Sequence, residues 1–200
     1  MPKLREREYR NLAMPLATAP DNKRMLSDYY VEGYATTFEP YVLFEMGGNK
    51  YYEKIAPGAF EDADMSDVIF QYDHNGKVLA RRSNETLGLE IDSKGLFIDA
   101  DLSKSAAAKE MYEEIKAGLV TKMSWAFTIA EESYNSETRT WTILKVKKVY
   151  DVSAASIPAN DDTEISARNL ERRSYVTNQQ ERLGLERQKL KLKIKLEVQV

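Results

Sequence analysis

Short runs of β-branched and aromatic residues, cut apart by turn-forming pairs, recur along most of this chain, and one stretch alone reads as a strong helix. Tyr29–Thr37 (YYVEGYATT), Tyr41–Phe44, Val68–Tyr72 (VIFQY), Thr86–Ile91, Leu96–Leu102, Val120–Ala130 and Thr140–Val152 all have strand character. Asp92-Ser93-Lys94-Gly95 is hairpin punctuation between two of them. Lys104–Ala117 places Ala107, Met111 and Ile115 on one helical face, and Gly118 stops it. A chain patterned this way reads as α+β, mainly β.

The remaining stretches are less regular. A piece near Tyr9–Met14 reads as an edge strand within an N-terminal extension, residues 1–25. Gly47-Gly48 breaks the run that Tyr41 begins. Ile55-Ala56-Pro57-Gly58 is a turn into a short helical stretch around Phe60–Met65. Asn75-Gly76 is a turn signal, so His74 stands where a strand gives way to a tight turn. Pro158-Ala159-Asn160-Asp161-Asp162 closes the compact part, residues 26–168. Residues 169–200 form a polar tail loaded with Arg182, Arg187, Lys189, Lys191, Lys193 and Lys195. Its end, LKLKIKLEVQV, alternates like a strand but has helix-forming residues, and both states stay open.

Composition then removes several chemistries. Of the 200 residues, 42% are hydrophobic and 30% charged, a globular balance. No cysteine is present, which excludes disulfides, thiolate metal sites and a Cys nucleophile. A single histidine excludes multi-His zinc sites. No cofactor or metal is expected. No apolar run approaches the roughly 18 residues of a membrane helix, and the charged start MPKLREREYR lacks a signal-peptide core. These features read as a cytosolic protein with no membrane association. The net charge of −3 points to no general polyanion partner. Nucleic acid is further disfavoured because the alternating tail offers an apolar face better suited to protein packing.

A serine hydroxyl needs a base to take its proton, and the base needs a third group to hold its tautomer. Any such base here is His74. Read singly, each candidate also fits a structural role. His74 suits an exposed turn, Ser124 a small inward residue between Met123 and Trp125, and Asp151 the end of a strand.

Five segments in order change that reading. They are Ile55-Ala56-Pro57-Gly58-Ala59-Phe60, Tyr72-Asp73-His74-Asn75, the paired stretches Thr86–Glu90 and Lys94–Ala100, Met123–Phe127, and Tyr150–Asn160. Together they resemble the HK97-like prohead (capsid maturation) serine proteases of tailed phages, over roughly Gly33 to Ala167. The resemblance implies an assemblin-like β-barrel core, related to herpesvirus assemblins, with a few flanking helices and a C-terminal extension. It also implies a serine endopeptidase with Ser124 as nucleophile, His74 as base and Asp151 as the acidic third member. The expected substrates are the scaffold segment of the major capsid protein and the protease itself, inside the assembling prohead in the host cytoplasm. A homodimer or higher oligomer follows by analogy with assemblins.

Some residues depart from the family pattern. The acid of the final motif is more often glutamate than aspartate. Ala80-Arg81-Arg82 and Ala126 stand where glycines are expected, and Arg81 or Arg82 is a candidate for positioning the oxyanion loop, against the alternative of a solvated basic pair. Asp73 and Glu164 are rival orienters. Asp73 is the poorer one because consecutive extended residues point to opposite faces. Two competing readings are a noncatalytic capsid or scaffold protein of the same fold and a generic β-barrel binding module. The basic tail reads as a segment that targets scaffold or is removed by self-cleavage, as a solvated extension, or as an added strand.

Overall fold

The computed structural model describes residues 7–12, 15–18, 22–156 and 167–198. Its elements are β1 (Glu8–Leu12), β2 (Tyr30–Thr37), β3 (Tyr41–Met46), β4 (Asn49–Ile55), β5 (Ile69–Tyr72), β6 (Asn75–Arg81), β7 (Leu87–Ile91), β8 (Gly95–Asp101), α1 (Ala106–Lys116), β9 (Lys122–Asn135), β10 (Thr140–Ala155) and α2 (Ala167–Val198), with a 3₁₀ turn at Arg82–Asn84. The chain divides into two compact units, residues 4–164 and a second formed by 1–3 with 165–200. The first is α+β and mainly β.

β9 and β10 are its long central pair. The larger sheet runs β1-β9-β10-β4-β3. On the same edge of β10, β4 pairs in parallel with Thr140–Ile143, and β5 pairs in parallel with Asp151–Ala154. One long strand therefore carries two short neighbours end to end, and β6 pairs only with β5. β2, β8 and β7 form a separate antiparallel sheet. Among the described residues the strand ladders do not close into the expected barrel. Register shifts between Ile143 and Asp151 kink β10 against β9, since each extra residue bends its strand and raises the local twist. The bend brings Arg10 of β1 to Glu53 of β4, three strands away along the sheet, at 2.5 and 2.9 Å. Side chains rather than a ladder connect β1 with β4.

The core explains the alternation along β9. Met123, Trp125, Phe127 and Ile129 are buried in the apolar cluster that joins the two sheets and α1. Burial of such side chains stabilises by roughly 1.5–3 kcal/mol each. The even-numbered Ser124, Ala126 and Thr128 therefore face the other way. Helix α1 starts where Ser105 Oγ accepts the Ala108 N–H at 3.1 Å. It buries Ala108, Met111 and Ile115, one turn apart on one face.

Several local expectations are corrected. Phe60–Met65 forms turns, not a helix, because its backbone is tied to β10 through Val146 N–H to Ala59 O and Asp64 N–H to Lys147 O. Gly47-Gly48 breaks the strand that Tyr41 begins, as expected; it is a hairpin turn with both φ positive, and the unexpected element is β4 after it. The tail is helical throughout Ala167–Val198. Pro158–Asp162 and Glu164 lie outside the described residues. No helix is long and apolar enough to cross a membrane among the described residues.

Candidate active site

Two neighbouring strands supply two of the candidate residues. In the β9–β10 register Ser124 stands opposite Ser153, and Ala126 opposite Asp151. Directly opposed side chains share a face, so Ser124, Ser153 and Asp151 project together. The register shift between Val149 and Asp151 re-aims this end of β10, as bulges beside functional sites often do. The methyl group of Ala126 leaves room across from Asp151.

The histidine comes from the β5–β6 hairpin. Its two turn residues are Asp73 (φ 43°) and His74 (φ 57°), between the paired Tyr72 and Asn75. Consecutive positive φ values are the mark of a type I′ turn, whose twist suits a two-residue hairpin. Asn75-Gly76, expected to form the turn, instead opens β6. Asp and His tolerate this conformation better than most residues, and the end of β10 holds them there. Asp73 N–H donates to Ala154 O at 3.0 Å, Ser156 Oγ donates to the Asp73 carboxylate at 2.9 Å, and His74 N–H donates to Ser153 Oγ at 3.3 Å.

The imidazole then lies between the two strand residues. His74 Nδ1 is 2.5 Å from Asp151 Oδ1, and Nε2 is 2.5 Å from Ser124 Oγ. Ser153 Oγ donates to the same Asp151 oxygen at 2.9 Å. The Asp151 side chain is 2% exposed and that of His74 15%, while Ser124 is fully buried. An ionised carboxylate beside Nδ1 favours the tautomer that carries its proton there, which turns the Nε2 lone pair toward Ser124. The arrangement is a proton path from hydroxyl to imidazole, with a buried carboxylate to steady the cation.

The structure brings Ser124, His74 and Asp151 together and keeps Asp73 apart. Asp73 is engaged with Ser156; it sits in a turn, not in the extended conformation that the sequence argument assumed. Arg81 pairs with Asp67 at 2.8 Å, and Arg82 donates to Met65 O at 2.9 Å. They tie the end of β6 and the 3₁₀ turn after it to the 65–67 segment. Among the described residues, no group of three or more His, Asp or Glu could hold a metal ion.

A family model described as caudovirus prohead serine protease matches residues 19–177. The chain belongs to that family. The matched span includes Ser124, His74 and Asp151 and starts after β1. No curated protein and no solved structure matches.

Three residues near the site of this prohead serine protease chain were not legible as site residues beforehand. Ser153 is legible in retrospect, being two positions from Asp151 on a strand and so on its face. Tyr9 packs edge-on against His74 with ring centroids 4.7 Å apart. Ser124 Oγ also lies 3.0 Å from the Arg10 carbonyl oxygen. These last two depend on strand pairing across more than a hundred residues, which no local pattern signals.

Proposed function

We propose that this chain is the serine endopeptidase of prohead maturation, with Ser124 as nucleophile, His74 as general base and Asp151 as the residue that orients and stabilises the imidazolium. The observation that carries this reading is the continuous pair of 2.5 Å contacts from Asp151 through His74 to Ser124. His74 takes the Ser124 proton as Oγ attacks a peptide carbonyl, then protonates the leaving amine. Water attacks the acyl-enzyme by the same route in reverse. The substrates in this reading are the scaffold segment of the major capsid protein and the protease itself. The place of action is the assembling prohead in the host cytoplasm. The assemblin-like ancestry of the core and a homodimer or higher oligomer belong to the same reading, as does a targeting or self-removed role for the basic tail.

Co-expression with the capsid protein tests the reading. The wild-type chain should shorten the capsid protein. Ser124→Ala should leave it full length, since Ser–His–Asp proteases lose about 10⁶-fold in kcat without the nucleophile. Equal cleavage by the variant would rule Ser124 out.

A further inference from the structure

Strand β1 lies on the nucleophile. It pairs antiparallel with β9 from Glu8↔Phe127 to Leu12↔Met123, with Asn11 opposite Ser124. β1 is an end strand of its sheet. Its Tyr9 ring makes a T-shaped contact with His74, and its Arg10 carbonyl meets Ser124 Oγ. A serine hydroxyl has one proton to give. The Arg10 carbonyl and His74 Nε2 compete for it, so the base cannot act freely while β1 stays. Ser124 has no exposed surface, and a polypeptide substrate cannot reach it past this strand.

The Arg10 side chain is as telling as its carbonyl. Its guanidinium is held by Glu53 in a bidentate pair at 2.5 and 2.9 Å and by Glu8 at 3.0 Å. Tyr41 Oη donates to the same Glu53 carboxylate. Glu53 is fully buried and Arg10 nearly so. Burial alone would weaken the cation, yet Glu53 more than offsets it, and the guanidinium is held well above its ordinary pKa. Glu8 travels with β1, whereas Glu53 belongs to β4 and stays behind. A buried carboxylate in this place favours a cationic side chain, because a neutral one cannot replace the bidentate ion pair that Arg10 makes with it.

We propose that β1 stands in for a substrate strand: an extended peptide replaces it on the β9 edge, and Glu53 receives an arginine or lysine side chain from the residue whose carbonyl reaches Ser124. The inference rests on the serine-protease reading and adds the binding track, the preference for a basic residue before the cut and the built-in closure of the resting enzyme. Strand addition to an open sheet edge is a general mode of peptide capture. The family match starts at residue 19, after β1, so the closing strand lies outside the matched span.

Covalent labelling of Ser124, read by mass spectrometry on the full chain, tests it. A small fluorophosphonate carries no recognition side chain and reports access alone. Peptidyl phosphonates with either arginine or alanine at the reacting position report selectivity. Arg10→Ala frees the edge and removes the bidentate partner of Glu53. The double variant Arg10→Ala/Glu53→Gln also removes the carboxylate charge. Both should react with the fluorophosphonate at least about tenfold faster than wild type, the factor by which a mostly closed state suppresses reaction. In Arg10→Ala the arginine probe should outpace the alanine probe by about tenfold or more, and the double variant should lose that preference. The wild-type chain, followed for longer times, gives the same ratio with no substitution.

Equal fluorophosphonate rates in wild type and both variants would overturn the closure. Equal rates for the two peptidyl probes in wild type and Arg10→Ala, or a preference that survives Glu53→Gln, would overturn the basic-residue site. Folded chains that never label at Ser124 would overturn the nucleophile assignment, and the inference with it.

Discussion

At Ser153 one hydroxyl serves both the carboxylate and the turn. It donates to Asp151 Oδ1 at 2.9 Å and accepts the His74 N–H at 3.3 Å. It therefore holds two of the three proposed catalytic residues and also lies 3.3 Å from His74 Nδ1. Asp151 acts more directly, through Nδ1. In Asp151→Asn an amide replaces the acceptor, the imidazole can turn its other tautomer toward Ser124, and kcat should fall by about 10⁴-fold. Ser153→Ala removes one hydrogen bond to a charged group, which should cost about tenfold in kcat and leave KM nearly unchanged. Steady-state hydrolysis of a capsid-derived peptide checks both. A loss in Ser153→Ala as deep as that in Asp151→Asn would mean that the hydroxyl itself takes part in proton transfer. The bulge before Asp151 lets its short side chain reach 2.5 Å from the ring.

Among the elements, the loop between β8 and α1 depends on one carboxylate. Asp101 accepts from Ser27 Oγ at 2.5 Å and from Ser103 N–H and Oγ at 3.0 Å each, with Lys104 at 3.1 Å. Burial raises its pKa, but these donors outweigh it and bring the value down to about 2. A group depressed in the folded state favours folding above its ordinary pKa, near 3.9. That contribution is lost as pH falls from about 4 toward 2. Urea midpoints measured from pH 5 to pH 2.5 should therefore fall more steeply for wild type than for Asp101→Asn. Parallel curves would show that the donors contribute nothing. At this scale the sequence was most legible where each strand has its own apolar run, as in β2, β5, β8 and β9, and in α1 with its apolar face and the Gly118 stop. It was least legible where pairing overrides local preference. β4 is rich in charge and reads poorly alone, yet Glu53 and Ile55 are buried by their neighbours. The hairpin turned at Asp73-His74 rather than at Asn75-Gly76 because the backbone ties to Ala154 and Ser153 fix the register. Ser124, His74 and Asp151 were legible from ordered motifs, whereas β1 over the site was not.

For the whole molecule, the proposed function requires that a protease whose proposed nucleophile lies under β1 be delivered to its substrate. The tail bears on that. Its strict alternation would give a strand one apolar face. In the helix, Leu190 and Ile194 fall on one side and Leu192 on nearly the opposite side, since each residue turns by about 100°. All three are at least half exposed, with Lys189, Lys191 and Lys193 exposed between them. The single apolar face that argued for protein packing is thus absent, and positive charge runs along the end of the helix instead. In the proposed targeting role, a cationic helix with scattered exposed leucines suits an acidic partner surface, where charge steers the encounter and the leucines add contact. Arg172 and Val176 are buried, so a cut should spare them. A chain ending at Glu181 should cleave a capsid-derived peptide in solution at the wild-type rate. Co-expressed with capsid protein, it should be depleted from purified proheads by about tenfold or more, as expected when several steering charges are lost. Normal incorporation of the shortened chain would reduce the tail to a solvated extension. Loss of peptide cleavage would assign it to the protease's own stability rather than to its delivery.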